Sequence, residues 1–180
     1  MYNAMSHPLI RVLHAHDAAA FHAVRLQGLR ESPAAFSSSY EEECDHTLAQ
    51  VGARLAEQEH GVVLGGFIGE RLVGVMGIRR DRQRKLAHRA LLWGVYVAPE
   101  GRQHGIGRAL GEAALAFARE KLNARQVVLG VGATNAPALA LYEKLGFERF
   151  GYEPDYIFLN GEYRDEIHMI HFFAQRNAGG

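Results

Sequence analysis

A strand, a helix and a second strand between Leu91 and Val131 constrain the fold more than any other stretch of this sequence. Leu91–Val97 is bulky and apolar apart from Gly94, which favours a buried strand. Apolar residues then recur every three or four positions over 106–120, which predicts an amphipathic helix. Its apolar face comprises Ile106, Leu110, Ala114 and Phe117. A β-branched strand follows at 126–131, and strands joined by such a helix lie parallel in a right-handed crossover, so we predict an α/β fold.

The loop that joins the first strand to the helix, Arg102–Gly107, has the composition of an anion-binding loop. Its two glycines let the backbone approach a ligand closely, and the first turn of the helix offers unpaired N–H groups at the positive end of the helix dipole. A Walker loop is excluded because Arg108 and Ala109 stand where Lys and Ser or Thr are needed. A dinucleotide fingerprint is disfavoured because Leu110 stands where Gly or Ala is needed.

Two motifs carry a resemblance to a known family. Val95-Tyr96-Val97-Ala98-Pro99 is followed by Arg102-x-x-Gly105-x-Gly107, and a second segment contains Asn135, Tyr142 and Leu145-Gly146-Phe147. In this order, they resemble the two acetyl-CoA motifs of the GCN5-related N-acetyltransferase (GNAT) family. Asn135 also suits a helix N-cap, and Gly146 suits a left-handed C-cap on which Phe147 packs back.

The resemblance implies a three-layer α/β fold, with a mixed central sheet, helices on both faces, and a Val-x-Val strand splayed to admit CoA. It implies one N-acetyltransferase domain over 1–180 that transfers an acetyl group from acetyl-CoA to a primary amine by direct attack in a ternary complex. Tyr142 would donate a proton to the departing thiolate, and a backbone N–H of the Val95–Val97 strand would donate to the carbonyl oxygen. The residues expected to bind the cofactor are Val95, Tyr96, Val97, Arg102, Gln103, His104, Gly105, Ile106, Gly107, Arg108 and Asn135.

The acceptor side of the reaction stays open at this level. Glu41, Glu42, Glu43, His88 or a water molecule are all candidates for the general base, and Trp93 or Tyr156 are candidates to line the acceptor pocket. The acceptor is a small amine, an amino acid, a peptide N-terminus or a lysine side chain. Two alternatives to acetyl transfer are a transferase for another acyl-CoA and a non-catalytic acyl-CoA-binding sensor or interaction module.

The remainder of the chain is predicted from local signals. A strand at 9–13 precedes a helix with Asp17 as its N-cap, and a second helix carries Leu48, Val51 and Leu55 on one face. Strands at 62–68 and 72–78 form a hairpin across Gly69-Glu70, and strands at 156–159 and 167–173 form another across Asn160-Gly161, with the polar residues 162–166 as an exposed strand start. The basic connection, defined as 79–89, is interpreted as a solvated hairpin tip.

Composition limits the remaining possibilities. The 180 residues include 20 basic and 20 acidic side chains, and this balance favours neither nucleic acid nor an anionic membrane as a partner. Cys44 alone forms no internal disulfide, and we assign no metal to His14 and His16, which lack further ligand motifs. Without a signal peptide or membrane span, the protein is predicted to be cytoplasmic. Residues 1–6 are expected to be a loose leader, with Met5 as an alternative start, and 175–180 a loose tail; a homodimer is compatible with the sequence.

Overall fold

A computed structural model describes residues 8–174, which form one seven-stranded sheet in the order β1-β2-β3-β4-β5-β7-β6. The predicted leader, the alternative start and the predicted tail lie outside the described residues. The strands are β1 Leu9–Val12, β2 Gly61–Ile68, β3 Arg71–Arg80, β4 Arg89–Val97, β5 Gln126–Gly132, β6 Glu148–Leu159 and β7 Glu162–Phe172. The helices are α1 Ala18–Glu31, α2 Tyr40–Glu43, α3 Leu48–Ala56, α4 Ile106–Glu120 and α5 Ala136–Lys144.

The sheet divides between β4 and β5, the pair of parallel strands at its centre. They are paired only where Arg89–Leu91 lies beside 126–128. Beyond this point β4 stays paired with β3, while β5 stays paired with β7. A gap, bounded by the second halves of β4 and β5, therefore opens toward the loop that follows Val97, as the predicted splayed strand requires.

Two hydrophobic cores cover the two faces of the sheet. One contains the buried residues of α4 and α5, and the other contains those of α1 and α3. Paired glycines in β2 and β3 allow α4 to approach: a Cβ at Gly66 would lie 2.8 Å from Ile106 Cγ2, and a Cβ at Gly74 would lie 2.7 Å from the same atom. The close packing at these hairpin glycines holds the start of α4 against the sheet.

Asp17 precedes α1 as predicted but does not cap it through its side chain. Its carboxylate makes no capping hydrogen bond to α1 and instead accepts two hydrogen bonds of 2.8 Å from Arg11 and one of 2.9 Å from the His14 N–H. These bonds lower the pKa of Asp17 to about 2. The prediction was wrong about the side chain because a bidentate guanidinium partner outcompetes the helix N–H groups.

The C-terminal hairpin turns at Asn160-Gly161, as predicted, with both residues at positive φ (52° and 82°). Its first strand is longer than expected, since β6 begins at Glu148 rather than at Tyr156. β6 is the edge strand, most of its side chains are exposed, and a register shift separates Glu153 from Ile157. It therefore lacks the apolar alternation that identifies a half-buried strand.

Candidate functional site

The loop before α4 presents a row of free backbone donors. Of residues 103–109, only Ala109 donates its N–H to a backbone carbonyl, that of Gly105 at 2.9 Å. Gly105 is the N-cap of α4 with φ of +74°, and Gln103 also has a positive φ of +65°. The free N–H groups of 103–108 therefore surround the positive end of a fifteen-residue helix, where an anionic group is stabilised.

Side chains tie this loop to the end of β4. Arg102 donates from Nε to the Val97 carbonyl at 3.1 Å, and its Nη2 lies 3.6 Å from Glu31 Oε2. Tyr96 points into the α1 core and donates its hydroxyl to Glu31 at 2.5 Å. This hydrogen bond lowers the pKa of Glu31, and burial together with Glu31 raises the pKa of Tyr96. Tyr96 thus supports the loop with its side chain and leaves ligand contacts to the backbone.

A bulge in β4 shapes one wall of the gap. Trp93 pairs with Gly77 and Tyr96 with Val75, so two residues of β4, including Gly94, stand opposite one residue of β3. Gly94 has φ of +62°. Ala98 donates its N–H to the Val73 carbonyl at 2.8 Å, and because backbone groups alternate along a strand, the N–H of Val97 points away from β3 toward the gap.

Helix α5 lies next to this wall. Asn135 caps its N-terminus by accepting a hydrogen bond of 3.2 Å from the Ala138 N–H, and Gly146 ends it with φ of +85°. The ring of Phe147 packs edge-on against that of Tyr142, with 5.8 Å between the ring centres. Tyr142 is 5% exposed, and burial raises the pKa of its hydroxyl. A Cβ at Gly107 would lie 3.3 Å from Leu141 Cδ2, so α5 contacts the first turn of α4.

The structure therefore brings the predicted cofactor residues of β4, the loop and α4 together at the mouth of the gap, with Asn135 and Tyr142 on the adjacent helix. Ile106, however, is 1% exposed and packs under the β2–β3 glycines, so only its backbone faces the loop. Arg108 is exposed and pairs with Glu112 at 2.7 Å.

A cavity of about 1020 Å³ lies on the α1 and α3 face of the sheet. Gly94 of β4 and Gly130 of β5, on opposite sides of the gap, both line it, so the cavity opens into the gap. Trp93 and Tyr156, the predicted acceptor-pocket residues, line it as well. Its charged lining comprises six arginines and four carboxylates: Arg25, Arg54, Arg79, Arg80, Arg82, Arg89, Glu43, Glu57, Asp81 and Glu166.

Of the four side chains predicted as base candidates, only Glu43 lines this cavity. Glu41, Glu42 and His88 are exposed and do not belong to its lining. Glu43 is buried and accepts hydrogen bonds of 3.0 and 2.7 Å from Arg25. Although burial opposes ionisation, Arg25 lowers the pKa of Glu43, which makes this carboxylate a weak base.

Glu166 is a cavity carboxylate that was not among the predicted base candidates. Its side chain is 14% exposed and lies over Gly130 of β5, where any Cβ would collide with the carboxylate. Burial raises the pKa of Glu166, Glu153 adds to the shift, and His168 partly offsets it. His168 Nδ1 lies 3.7 Å from Glu166 Oε1, and His168 Nε2 lies 2.9 Å from Glu153 Oε2.

The alternation in β7 is the signal that would have found Glu166. Ile167 and Met169 are buried in the α4 core, so Glu166 and His168 share the opposite face, toward the cavity. The polar start of β7 was predicted to be exposed. For Glu166 that prediction was wrong, because Gly130 of the neighbouring strand β5 has no side chain and leaves room for the carboxylate.

The basic connection is also more than a solvated tip. Arg79, Arg80, Arg82 and Arg89 line the cavity, whereas Arg84 and Lys85 are exposed and lie outside its lining. The tip interpretation holds for the middle of the connection. It fails at both ends, because β3 carries Arg79 and Arg80, and β4 carries Arg89, into the cavity lining.

Residues 26–147, which include both motifs, match the model of the Acetyltransferase (GNAT) family. The chain belongs to this family. It is 30% identical over 116 residues to the L-amino acid N-acetyltransferase AaaT of Escherichia coli (strain K12), covering 64% of this chain and 71% of that protein. It is 35% identical over 82 residues to the spermidine N(1)-acetyltransferase of Vibrio cholerae, covering 46% of this chain and 47% of that protein. The match thus spans about half the length of the Vibrio relative.

Solved GNAT structures share the fold. An acetyltransferase of the GNAT family from Streptococcus pneumoniae superposes with a TM-score of 0.82 at 23% identity, over 92% of this chain and 99% of that one. The Salmonella typhimurium protein yncA, solved with its cofactor acetyl-CoA, superposes with a TM-score of 0.78 at 21% identity. This match covers 97% of this chain and 99% of that one. The predicted family and mixed-sheet fold are both confirmed. Within residues 8–174, no helix is long and apolar enough to cross a bilayer.

Proposed function

We propose that this GNAT protein transfers an acetyl group from acetyl-CoA to a primary amine in a ternary complex. The observation that carries the proposal is the continuity of the site: the anion-binding loop stands at one end of the gap, and the cavity opens into it between Gly94 and Gly130. A donor that binds through phosphates and an acceptor that binds in the cavity would therefore meet at the bulge of β4.

The residues present fit acetyl-CoA. A Cβ at Gly105 would meet no atom within 4 Å, so its surroundings are open, and the N–H groups of 103–108 are free to bind a pyrophosphate. Arg102, Gln103, His104 and Arg108 are exposed around the loop, the Val95–Val97 backbone borders the gap, and Asn135 caps the adjacent helix. Bound acetyl-CoA supplies an activated acyl group and a sulfur leaving group.

Glu166 is the residue that accepts the amine proton. A primary amine with a pKa of about 10 is mostly protonated at neutral pH, so it must lose a proton before it attacks. A carboxylate whose pKa is raised by burial is a stronger base than an ordinary one, and Glu166 reaches the cavity beside the gap. His168 lies 3.7 Å from this carboxylate and carries Glu153 on its other ring nitrogen at 2.9 Å, so the three side chains form a series leading away from the cavity.

Two donors serve the acyl side of the reaction. The N–H of Val97, which points toward the gap, would stabilise negative charge on the carbonyl oxygen without reorganisation because the strand fixes it. The Tyr142 hydroxyl stays protonated because burial raises its pKa, and it donates its proton to the sulfur.

Isothermal titration with acetyl-CoA, followed by an acceptor screen that detects released CoA, tests the proposal. Tyr142→Phe should lower kcat by about 10²- to 10⁴-fold with little change in the Kd of acetyl-CoA, because positioned proton transfer contributes that much. Tyr163→Phe is the control, since Tyr163 is 65% exposed on the C-terminal hairpin. Failure to bind acetyl-CoA would refute the proposal, and an unchanged kcat would remove Tyr142 from it.

A further inference from the structure

Arg25 of α1 lines the cavity, and one of its guanidinium nitrogens has no hydrogen-bond partner among the described residues. Its side chain is 9% exposed, its Nε and Nη2 donate to Glu43, and its guanidinium carbon lies 4.6 Å from the centre of the Phe36 ring. Nη1 is buried and has no hydrogen-bond partner among the described residues. An arginine held on two sides in this way has little freedom to turn its third nitrogen elsewhere.

The free nitrogen points at the reacting end of the site. A Cβ at Gly94, the bulge residue, would lie 3.7 Å from Arg25 Nη1, and both residues line the cavity. A buried charged donor without an acceptor is unfavourable, so an oxygen of a ligand at this position would recover that loss. Gly94 leaves this approach open because it has no side chain.

The charge of the cavity lining indicates whether the ligand oxygen beside Arg25 belongs to an anion. Six arginines against four carboxylates leave a surplus of two positive charges in the lining. Arg25, Arg82 and Arg89 have carboxylate partners within the described residues, but neither Arg79 nor Arg80 is among the ion-paired arginines. Such a lining attracts an anion and repels a polyamine.

Distance separates the roles of these arginines. Arg80 pairs with Ala90, four residues before Gly94 along β4, which is about 13 Å at 3.3 Å per residue. An α-amino acid has one carbon atom between its amine and its carboxylate. With its amine at the bulge, its carboxylate would lie near Arg25 rather than near Arg80.

We propose that the acceptor is an α-amino acid whose carboxylate is bound by Arg25 Nη1, with Arg79 and Arg80 adding long-range attraction. This inference rests on the proposed acetyl transfer and names its acceptor. Glu43 is then a positioning residue, which orients Arg25 and is not available as a base.

The first test compares matched acceptors on the wild-type protein. The best acceptor among the standard L-amino acids is compared with its amide, its decarboxylated amine and spermidine. A charge-assisted hydrogen bond predicts a kcat/KM about 10- to 100-fold higher for the acid than for the decarboxylated amine, with the amide between them and spermidine not used. Titration of the CoA-bound protein with the acid and with the decarboxylated amine should show the same preference in Kd.

The second test removes the donor. The double variant Arg25→Gln/Glu43→Gln avoids leaving a buried, unpaired carboxylate and should raise KM for the acid at least about 10-fold, with a much smaller effect on the decarboxylated amine. Arg84 is exposed in the basic connection and lies outside the cavity lining. Arg84→Gln is therefore the matched control and should change KM for neither the acid nor the decarboxylated amine. Thermal unfolding verifies that the double variant folds, and the wild-type comparison stands if it does not.

The outcomes separate this inference from the function on which it rests. Equal use of the amide and the acid, turnover of spermidine, or acetylation of other amines but of no amino acid would overturn the inference and leave acetyl transfer intact. Absence of acetyl-CoA binding would overturn both. An acid preference that survives in the double variant would remove Arg25 from the site.

Discussion

Glu43 and Glu166 are two carboxylates in one cavity with opposite shifts of pKa. Glu43 accepts two hydrogen bonds from Arg25, which lower its pKa despite burial, whereas Glu166 has no arginine partner among residues 8–174, and burial raises its pKa. The difference comes from neighbours rather than from depth alone. It supports the proposed division of roles, with Glu43 positioning Arg25 and Glu166 accepting the amine proton.

Acetylation should therefore rise with pH through the raised pKa of Glu166, because only the ionised carboxylate accepts a proton. Glu166→Gln should lower kcat/KM by about 10²- to 10⁴-fold and flatten this limb of the pH profile. The measurement is kcat/KM against pH for the wild type and the variant. Glu162→Gln, at the exposed start of the same strand, is the control and should keep the rise of kcat/KM with pH.

The stability of Glu166→Gln distinguishes loss of a catalytic base from a structural effect of the substitution. A carboxyl whose pKa is raised on folding stabilises the folded state below its unfolded pKa, and this contribution is lost as pH rises through the folded pKa. Glu166→Gln should thus unfold at neutral pH no more readily than the wild type. A variant that loses both activity and stability, or one that keeps the wild-type pH limb, would contradict the assignment of Glu166 as base.

At the scale of elements, the bulge in β4 joins the cofactor end of the gap to the cavity. Gly94 carries it with φ of +62°, a conformation that costs a residue with a Cβ roughly 1–2 kcal/mol. The space itself is open, since the nearest atom to an added Cβ is Arg25 Nη1 at 3.7 Å. Strain, rather than a clash, is what a substitution would introduce.

Gly94→Ala should lower the Tm by about 2–8 °C and also lower kcat, because relief of the strain shifts the backbone at the reacting end. Gly69→Ala is a matched control: Gly69 has φ of +58° in the β2–β3 turn, with no atom within 4 Å of an added Cβ. Both variants should lose similar stability in thermal unfolding. Equal kcat values in the two would show that the bulge has no catalytic role.

At the scale of the whole molecule, the sheet is divided and the proposed ligand would bridge the division. β4 and β5 share three paired positions, and beyond them the two halves are held by α4 and α5 packing on one face. A ligand bound to the loop and to both sides of the gap binds the folded state alone. It would therefore stabilise the protein against unfolding.

Acetyl-CoA at about 100 times its Kd should contribute about 2.7 kcal/mol and raise the Tm by about 5–10 °C. Differential scanning fluorimetry measures the shift. Gly107→Val is the control, since an added Cβ would already lie 3.3 Å from Leu141 and a larger side chain would fill the first turn of α4. A shift that persists in this variant would place the ligand elsewhere.

A homodimer and a cytoplasmic location stay predictions. Exposed aromatic side chains are concentrated on the C-terminal hairpin, at the edge of the sheet, and sedimentation velocity would show whether they are covered in solution. They are Phe150, Tyr152, Tyr156, Phe158, Tyr163 and Phe172.

The cofactor half of the site follows from local sequence. The strand, loop and helix from Leu91 to Glu120 and the helix from Asn135 to Phe147 are continuous segments, in which turns, caps and free N–H groups depend on residues a few positions apart. The hairpin turn at Asn160-Gly161 was predictable for the same reason. These elements and their order were sufficient to predict the family and its fold.

The acceptor half was decided only by the tertiary structure. Arg25 and Glu43 are eighteen residues apart, and the carboxylate of Glu166 fits because Gly130 faces it from another strand. Which face a strand residue occupies depends on register, and a one-residue shift reverses it. The pKa of a carboxylate depends on burial and on partners that only folding brings near. The sequence alone therefore determined a CoA-type loop beside a splayed strand, and the packing of α1, β4, β5 and β7 determined the cavity beside it.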